Sequence, residues 1–129
     1  MFESTAMLKY ICERRDLPHH WYPRGSDLES VRKRAKIDTY LDWHHSNVRI
    51  GAGYLIFGTY FEGFMTGKWS SEAKLNAHRV IMERSFDKVL KVWLTSEKVP
   101  FLFGDKPTIA DLQFGQELVQ LVAIDYPLQ

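Results

Sequence analysis

The sequence predicts an all-α fold, and three observations carry that prediction. Apolar residues recur at every third or fourth position over long stretches, which is the period of a helix. No segment alternates apolar and polar residues over the length of a strand. The turn-forming residues cluster at positions 18–25, at Gly67 and at positions 100–107. These clusters leave one short and three long segments, and their short connections favour antiparallel neighbours in a bundle.

The first two segments contain recognisable helix starts. Residues 4–15 have apolar residues at helical spacing, and Ser4 is a suitable N-cap. The second segment opens with Ser26-Asp27-Leu28-Glu29, which fits a capping box with Ser26 as the N-cap. Its later half is rich in glycine, and each glycine in a helix interior costs about 1 kcal/mol relative to alanine. We therefore expect this helix to bend or break between Gly51 and Gly63.

The last two segments are predicted as a long amphipathic helix over about residues 70–97 and a second helix from residue 108. The second helix begins with a capping box, in which Thr108 caps the helix and the Asp111 carboxylate accepts from the Thr108 N–H. After Asp111, its polar residues form one narrow stripe: Gln113, Gln116, Glu117 and Gln120. A helix with so little polar surface is typically the central helix of a bundle.

Composition excludes several classes of protein. The chain has 129 residues and a formal net charge of +1, so it fits one domain and has no net field to attract nucleic acid or an anionic membrane. It has no run of about 20 apolar residues and no secretory signal, which predicts a cytoplasmic protein without a membrane span. The single cysteine, Cys12, permits no disulfide within the chain.

Residues with obvious chemistry give weak signals when each is taken alone. The histidines lie at positions 19, 20, 44, 45 and 78, and none of the adjacent pairs has the spacing of ligands on one helix, so we predict no metal site. Cys12 has only neighbouring arginines to lower its pKa and is interpreted as a small apolar residue. The basic run at positions 32–36 is interpreted as a solvated helix face.

Four motifs, in order along the chain, resemble those of a known family. They are Glu3-Ser4-x-Ala6, Pro18-His19-His20-Trp21-Tyr22-Pro23, Tyr40-Leu41-x-Trp43-His44 and Gly104-Asp105-x-Pro107-Thr108-Ile109-Ala110-Asp111. Together they resemble the cytosolic glutathione S-transferases, and the second and third resemble the theta class in particular. The fourth motif is shared across the superfamily. The resemblance covers nearly all of the chain.

The resemblance implies a domain layout. Residues 26–129 correspond to a glutathione S-transferase C-terminal-like helical bundle that lacks the final helices. Residues 16–25 correspond to the interdomain linker, and residues 1–15 to the last helix of the thioredoxin-like domain. The rest of that domain, including the catalytic serine of theta enzymes, has no counterpart in this chain, so we assign no catalytic residue.

Three residues correspond to functional positions of the family. Glu3 and Ser4 match the pair that holds the γ-glutamyl end of glutathione, where a carboxylate suits the ammonium and a hydroxyl at a helix N-terminus suits the carboxylate. Ser4 is also explained by a simple N-cap. Arg49 matches an arginine that faces the active site in some theta enzymes, and a surface arginine is an equally good interpretation. Ser46 replaces an aspartate that some theta members carry.

The resemblance therefore implies an enzyme that conjugates glutathione to small electrophiles, with this part supplying the electrophile pocket and dimer contacts. Glutathione is then a co-substrate, and no cofactor is expected. We also expect self-association or a homodimer. Two alternatives stay open: a non-catalytic protein-interaction module built on the same fold, and an inactive fragment.

Overall fold

The computed structural model describes residues 3–96 and 98–126, and within those ranges it contains helices and no β-strand. The longer helices are α1 (Ser4–Arg14), α2 (Leu28–Ser46), α5 (Glu72–Val92) and α6 (Ile109–Ala123). Two π-helical stretches and two short α-helices alternate between α2 and α5. Their order is Arg49–Gly53 (π), α3 (Tyr54–Ile56), Phe57–Phe61 (π) and α4 (Glu62–Thr66). The closest approach to a strand is a single bridge between Phe101 and Gly104. The all-α prediction is confirmed.

The ranges predicted from the sequence extend beyond the described residues at positions 1–2, 97 and 127–129. Within the part that the structure describes, no helix is both long enough and apolar enough to cross a bilayer.

The helix starts differ by one residue from two of the sequence predictions. The N-cap of α2 is Asp27, whose side chain accepts from the Ser30 N–H at 2.9 Å, so the assignment of Ser26 was wrong. Arg34 donates to the carbonyls of Pro23 and Gly25, which fixes the preceding turn and leaves Asp27 as the last extended residue. Ser4 is likewise the first helical residue, since Glu3 precedes it with a φ of 73° and no side-chain cap.

The helix is interrupted as predicted, but the interruption begins at Asn47, before the predicted range of Gly51 to Gly63. Regular α-helix ends at Ser46, and the following chain changes between π and α geometry as far as Thr66. Close packing on α5 explains one of the glycines, because a Cβ at Gly51 would lie 2.5 Å from the backbone of Met82. Gly67 ends α4 in the left-handed conformation, with a φ of 72°.

The amphipathic helix α5 follows its predicted pattern. Ser71 caps it by accepting from the Lys74 N–H, and the helix ends at Val92. Met82 and Val89 are fully buried on the face that points to the rest of the bundle.

The start of α6 is tied down by a capping box. The Asp111 carboxylate accepts from the Thr108 N–H at 2.7 Å and from the Leu102 N–H at 2.7 Å. The Thr108 hydroxyl accepts from the Ala110 N–H and also donates to Asp111. Because Asp111 bonds both its own helix and the loop before it, it fixes where α6 begins relative to that loop.

The central position predicted for α6 was only partly right. Ile109 and Leu121 are buried, whereas Val119 and Val122 are exposed. Glu117, which the sequence places in the polar stripe, is 2% exposed. Glu117 therefore does not lie on a solvated face of this helix, although Gln116 of the same stripe is exposed, and the reason is the ion pair described below.

Two groups of buried residues form the core. The first surrounds Tyr40, whose ring makes an edge contact with Trp93 at 5.1 Å between centroids. Leu8 and Cys12 pack α1 against this group, so one face of α1 is covered by the bundle. The second group surrounds Met82 and joins the interrupted helical region to α5 and α6.

Candidate functional site

An open cleft of about 620 Å³ separates α1 from α6, and the end of α2 closes one side of it. Its apolar lining consists of Met7, Leu8 and Ile11 from α1, and Leu112 from α6. The polar residues that line it are Ser4, His45, Arg49, Gln113, Gln116, Glu117 and Gln120. A concave site with an apolar wall and a few polar groups is the usual form of a small-molecule site.

An ion pair crosses one end of the cleft. Arg49 Nη1 donates to Glu117 Oε1 at 2.7 Å, which is the length of a charge-assisted hydrogen bond. The two side chains differ in exposure, at 50% for Arg49 and 3% for Glu117. Gly53 lies beside the arginine, and a Cβ there would lie 3.2 Å from Arg49 Cδ. The first π-helical stretch therefore places Arg49 at the cleft and leaves room for its side chain.

A buried histidine lies behind the ion pair. His44 is fully buried, and its Nε2 lies 3.7 Å from Glu117 Oε1. Its Nδ1 lies 3.3 Å from the hydroxyl of Tyr40, which is also fully buried. Tyr40 and His44 are four residues apart on α2, so their side chains lie on the same face of the helix.

The surroundings of Glu117 favour its ionised form. Burial raises the pKa of Glu117, but the nearby His44 imidazole and the Arg49 guanidinium outweigh it and hold that pKa below its ordinary value. Burial, together with the carboxylates of Asp111 and Glu117, raises the pKa of Tyr40, so its phenol stays protonated at neutral pH. The cleft end thus combines a fixed carboxylate with a partly exposed guanidinium.

The residues predicted from the family resemblance are only partly brought together. Ser4 and Arg49 line the same cleft. Glu3 is exposed and does not line it. Thr108 and Asp111 lie at the start of α6, where they hold the helix rather than contact the cleft.

Sequence reasoning missed Glu117, His44 and Tyr40 as parts of the site. One signal was available, because Glu117 is the only charged residue between Asp111 and Asp125 in a helix that is mostly apolar. A lone carboxylate in such a helix requires a buried partner or an exposed position. The periodicity of the sequence does not distinguish between these two possibilities.

The remaining candidates have structural partners or the wrong environment. His19 Nε2 accepts from the Arg24 N–H, and His20 Nδ1 bonds the Pro107 carbonyl at 2.7 Å. No group of three or more potential metal ligands occurs among residues 3–96 and 98–126. Cys12 is buried, and burial raises its pKa, which is the wrong direction for a nucleophile.

The basic run of α2 divides between two environments. Arg34 is occupied by the turn before α2, as described above. Arg32, Lys33 and Lys36 line a separate open groove of about 990 Å³, on whose other side lie Trp93 and Phe103. This groove shares no lining residue with the cleft.

Known proteins resemble this chain over nearly its whole length. No family model matches it. Glutathione S-transferase T2 of Arabidopsis thaliana is 35% identical over 126 residues, which cover 97% of this chain and 20% of that protein. Glutathione S-transferase theta-2B of Homo sapiens is 34% identical over 129 residues, which cover 98% of this chain and 48% of that protein. This chain therefore spans a fifth to about half of the length of these relatives.

A solved structure shows the same likeness in three dimensions. The crystal structure of human glutathione transferase theta-2, in complex with glutathione and an unknown ligand, matches with a TM-score of 0.84 and 33% identity. The match covers 99% of this chain and 49% of that one. Sequence identity and the shared all-helical fold together show that the chain is similar to part of the theta-class glutathione S-transferases, and that its fold matches an all-α glutathione S-transferase C-terminal-like domain.

Proposed function

We propose that the chain serves an enzyme that conjugates glutathione to small electrophiles, and that the cleft between α1 and α6 forms its electrophile pocket. The observation that carries the proposal is that Ser4 and Arg49, two residues matched to the family's functional positions, line one cleft. The solved complex of human theta-2 with glutathione and a second ligand supports the assignment by analogy.

The chemistry of the cleft suits this role. The apolar wall formed by Met7, Ile11 and Leu112 can cover the body of an electrophile, and the exposed part of Arg49 can contact the thiolate or an anionic group of the electrophile. At the start of α1, the Ser4 hydroxyl suits the γ-glutamyl carboxylate and Glu3 suits its ammonium. Residues 3 and 4 therefore contribute to binding one end of glutathione in this proposal.

The proposal assigns thiol activation to a thioredoxin-like domain. A free thiol has a pKa of about 8.5, so the sulfur of glutathione needs an oriented hydroxyl and local dipoles to ionise at neutral pH. We assign residues 1–15 to the end of that domain, residues 16–25 to the linker and residues 26–129 to the helical domain. The intact protein acts in the cytoplasm in this proposal.

A second copy of the chain is the proposed protein partner. Aromatic and other apolar side chains are exposed along the region after α2, including Phe57, Phe61, Phe64 and Met65. Contiguous exposed apolar surface of this kind marks an interaction site. We propose that this surface supplies the dimer contacts of the intact enzyme.

The test of the activity compares the chain alone with a fusion that places a theta-type thioredoxin-like domain before it. Glutathione conjugation to a chloronitrobenzene substrate is the readout. The chain alone should show no turnover above background, and no calorimetric isotherm with millimolar glutathione. The exposed contacts that Glu3 and Ser4 can make are weak, since even an exposed ion pair contributes only about 0–1 kcal/mol, whereas binding costs at least about 4 kcal/mol in lost freedom of motion.

The fusion should turn over the substrate, and Arg49→Ala should lower its rate. The matched control is Arg32→Ala, because Arg32 lies in the separate groove on α2. A folded fusion without activity would contradict the enzymatic proposal and favour the interaction module. Equal rates for the two arginine variants would contradict the assignment of Arg49 to the pocket.

A further inference from the structure

The proposed function uses Arg49 but does not use the buried polar residues behind it. Tyr40, His44 and Glu117 form a series that leads from the aromatic core to the cleft, and all three are buried. The series ends at the bond between Glu117 Oε1 and Arg49 Nη1. We propose that Glu117, supported by His44, is a positioning residue that holds the Arg49 guanidinium at the edge of the cleft. The proposal rests on the proposed function only for the ligand that Arg49 would contact.

The first argument is the unequal mobility of the two partners. An exposed ion pair is weak partly because two flexible side chains must be ordered to form it. Here Glu117 is already held by packing, so only Arg49 loses freedom when the bond forms. Glu117 is also the only acceptor that the Arg49 side chain bonds among the described residues. The fixed carboxylate therefore determines where the mobile guanidinium lies.

The second argument is that the bond leaves Arg49 able to bind a ligand. A guanidinium has five N–H donors in a rigid plane, and the bond to Glu117 uses one nitrogen, Nη1. The side chain remains 50% exposed at the cleft. A ligand can therefore be bound through the remaining donors while Glu117 keeps the plane of the guanidinium oriented.

The third argument concerns His44, which is oriented from behind. The Tyr40 phenol keeps its proton, so it can donate to His44 Nδ1 at 3.3 Å. In a neutral imidazole the other nitrogen, Nε2, then carries the hydrogen and faces Glu117 Oε1. At 3.7 Å this contact is longer than a hydrogen bond, and Nε2 and Glu117 Oε2 have no bonding partner among the described residues. A shift of less than about 1 Å would let Nε2 donate to Glu117 Oε1 and so give the buried imidazole the bond that it lacks.

Nuclear magnetic resonance of the full 129-residue chain tests the role of Glu117 directly. Arginine side-chain spectra of the ¹⁵N-labelled chain, assigned with Arg49→Lys, report how fast each guanidinium rotates. The internal comparison is Arg79, whose Nη1 contacts the exposed Glu72 carboxylate at 3.4 Å and also donates to the Asn76 side chain on the surface of α5. We expect rotation at Arg49 to be at least about tenfold slower than at Arg79, because a bond to a buried charge must break first.

Two substitutions separate positioning from general destabilisation. Glu117→Leu should raise the Arg49 rotation rate to that of Arg79. Glu117→Gln keeps an acceptor of the same shape but loses the charge, so it should give an intermediate rate in a chain that still folds. The control Glu72→Leu removes the charged partner of Arg79 and should leave Arg49 unchanged. Fast rotation of Arg49 in the native chain, or a rate that Glu117→Gln leaves unchanged, would overturn the proposal.

The role of His44 has its own readout. Imidazole ¹⁵N shifts should show the hydrogen on Nε2 in the native chain, and Tyr40→Phe should weaken that preference. A native imidazole with its hydrogen on Nδ1 alone would overturn the role of His44. None of these measurements needs glutathione. A fusion enzyme without activity would therefore contradict the assignment of the electrophile pocket but not the positioning of Arg49 by Glu117. Fast rotation of Arg49 would contradict the positioning but not the assignment of the pocket.

Discussion

Replacing Asp111 with alanine should destabilise the chain more than any deletion of a surface charge. The carboxylate accepts three hydrogen bonds, from the N–H groups of Leu102 and Thr108 and from the Thr108 hydroxyl, at 2.7 to 2.9 Å. Leu102 and Thr108 are both buried, so water cannot easily replace the lost acceptor. The substitution therefore leaves two buried backbone donors without a partner and also removes half of the capping box.

The expected loss of stability follows from those groups. A buried donor left unpaired costs about 1–3 kcal/mol, and loss of a helix cap costs about 0.5–2 kcal/mol. These terms overlap, so we expect Asp111→Ala to lower the free energy of unfolding by about 3–4 kcal/mol. Asp111→Asn should lose about half as much, because its amide oxygen can still accept but neutral hydrogen bonds are weaker. Lys33→Ala, which removes a half-buried lysine without a hydrogen bond or ion pair among the described residues, should change stability by less than about 0.5 kcal/mol.

Urea denaturation followed by circular dichroism at 222 nm measures the three variants. With a slope of about 2 kcal/mol per molar urea, the midpoint of Asp111→Ala should fall by roughly 1.5–2 M. Equal midpoints for Asp111→Ala and Lys33→Ala would refute the reasoning. The order alanine, asparagine, native in rising stability is expected. Asparagine at or below alanine would show that the charge of Asp111 is not what the buried donors require.

Three further predictions concern titration, thiol chemistry and association. The pKa of Glu117 is lowered in the folded chain, so its ionised form stabilises the fold above the ordinary pKa of about 4.3, and that stabilisation is lost as the pH falls through the folded pKa. The urea midpoint of the native chain should therefore fall relative to that of Glu117→Gln below about pH 4. A native midpoint that rises relative to Glu117→Gln in acid would contradict this. Cys12 is buried and its pKa is raised, so its thiol should react with a disulfide reagent at least about tenfold more slowly in the folded chain than in the unfolded chain. Equal reaction rates would show that Cys12 lies at the surface. Apolar surface on α1 is exposed at Met7, Tyr10 and Ile11, so the chain should self-associate at micromolar concentration in analytical ultracentrifugation. Ile11→Lys should weaken the association. A native chain that stays monomeric across that concentration range would contradict the prediction.

The sequence predicted helices well where local chemistry alone determines a boundary. Pro107, Thr108 and Asp111 follow one another at the spacing of a capping box, and the structure has that box. The start of α2 was harder, because Ser26 and Asp27 are both good N-caps. The choice of Asp27 depends on Arg34, which reaches back from the next turn of the helix to hold the preceding carbonyls. A four-residue motif cannot reveal this contact, because Arg34 lies outside the motif.

The cleft was harder to predict than the fold for a related reason. Helical periodicity counts Glu117 as a polar residue and so places it on the solvated face. In the structure it is buried, because Arg49 reaches it from 68 positions earlier in the chain. Similarity to a family indicated Arg49 and Ser4, since those residues stand at matched positions. It gave no information about the pairing, which depends on how the π-helical stretch Arg49–Gly53 packs against α6.

Stability and the shape of the cleft are coupled at the start of α6. The Ile109 N–H donates to the Trp21 carbonyl at 3.0 Å, so the connection after α1 is bonded to the first turn of α6. One turn later, Gln113 accepts from the Thr5 hydroxyl of α1 at 3.2 Å. The capping box therefore holds the start of α6. One wall of the cleft is formed by α6, and the connection that leads from α1, the other wall, is bonded to this same start of α6. A substitution that releases the start of α6, such as Asp111→Ala, should make the distance between α1 and Glu117 more variable, even though Asp111 does not line the cleft.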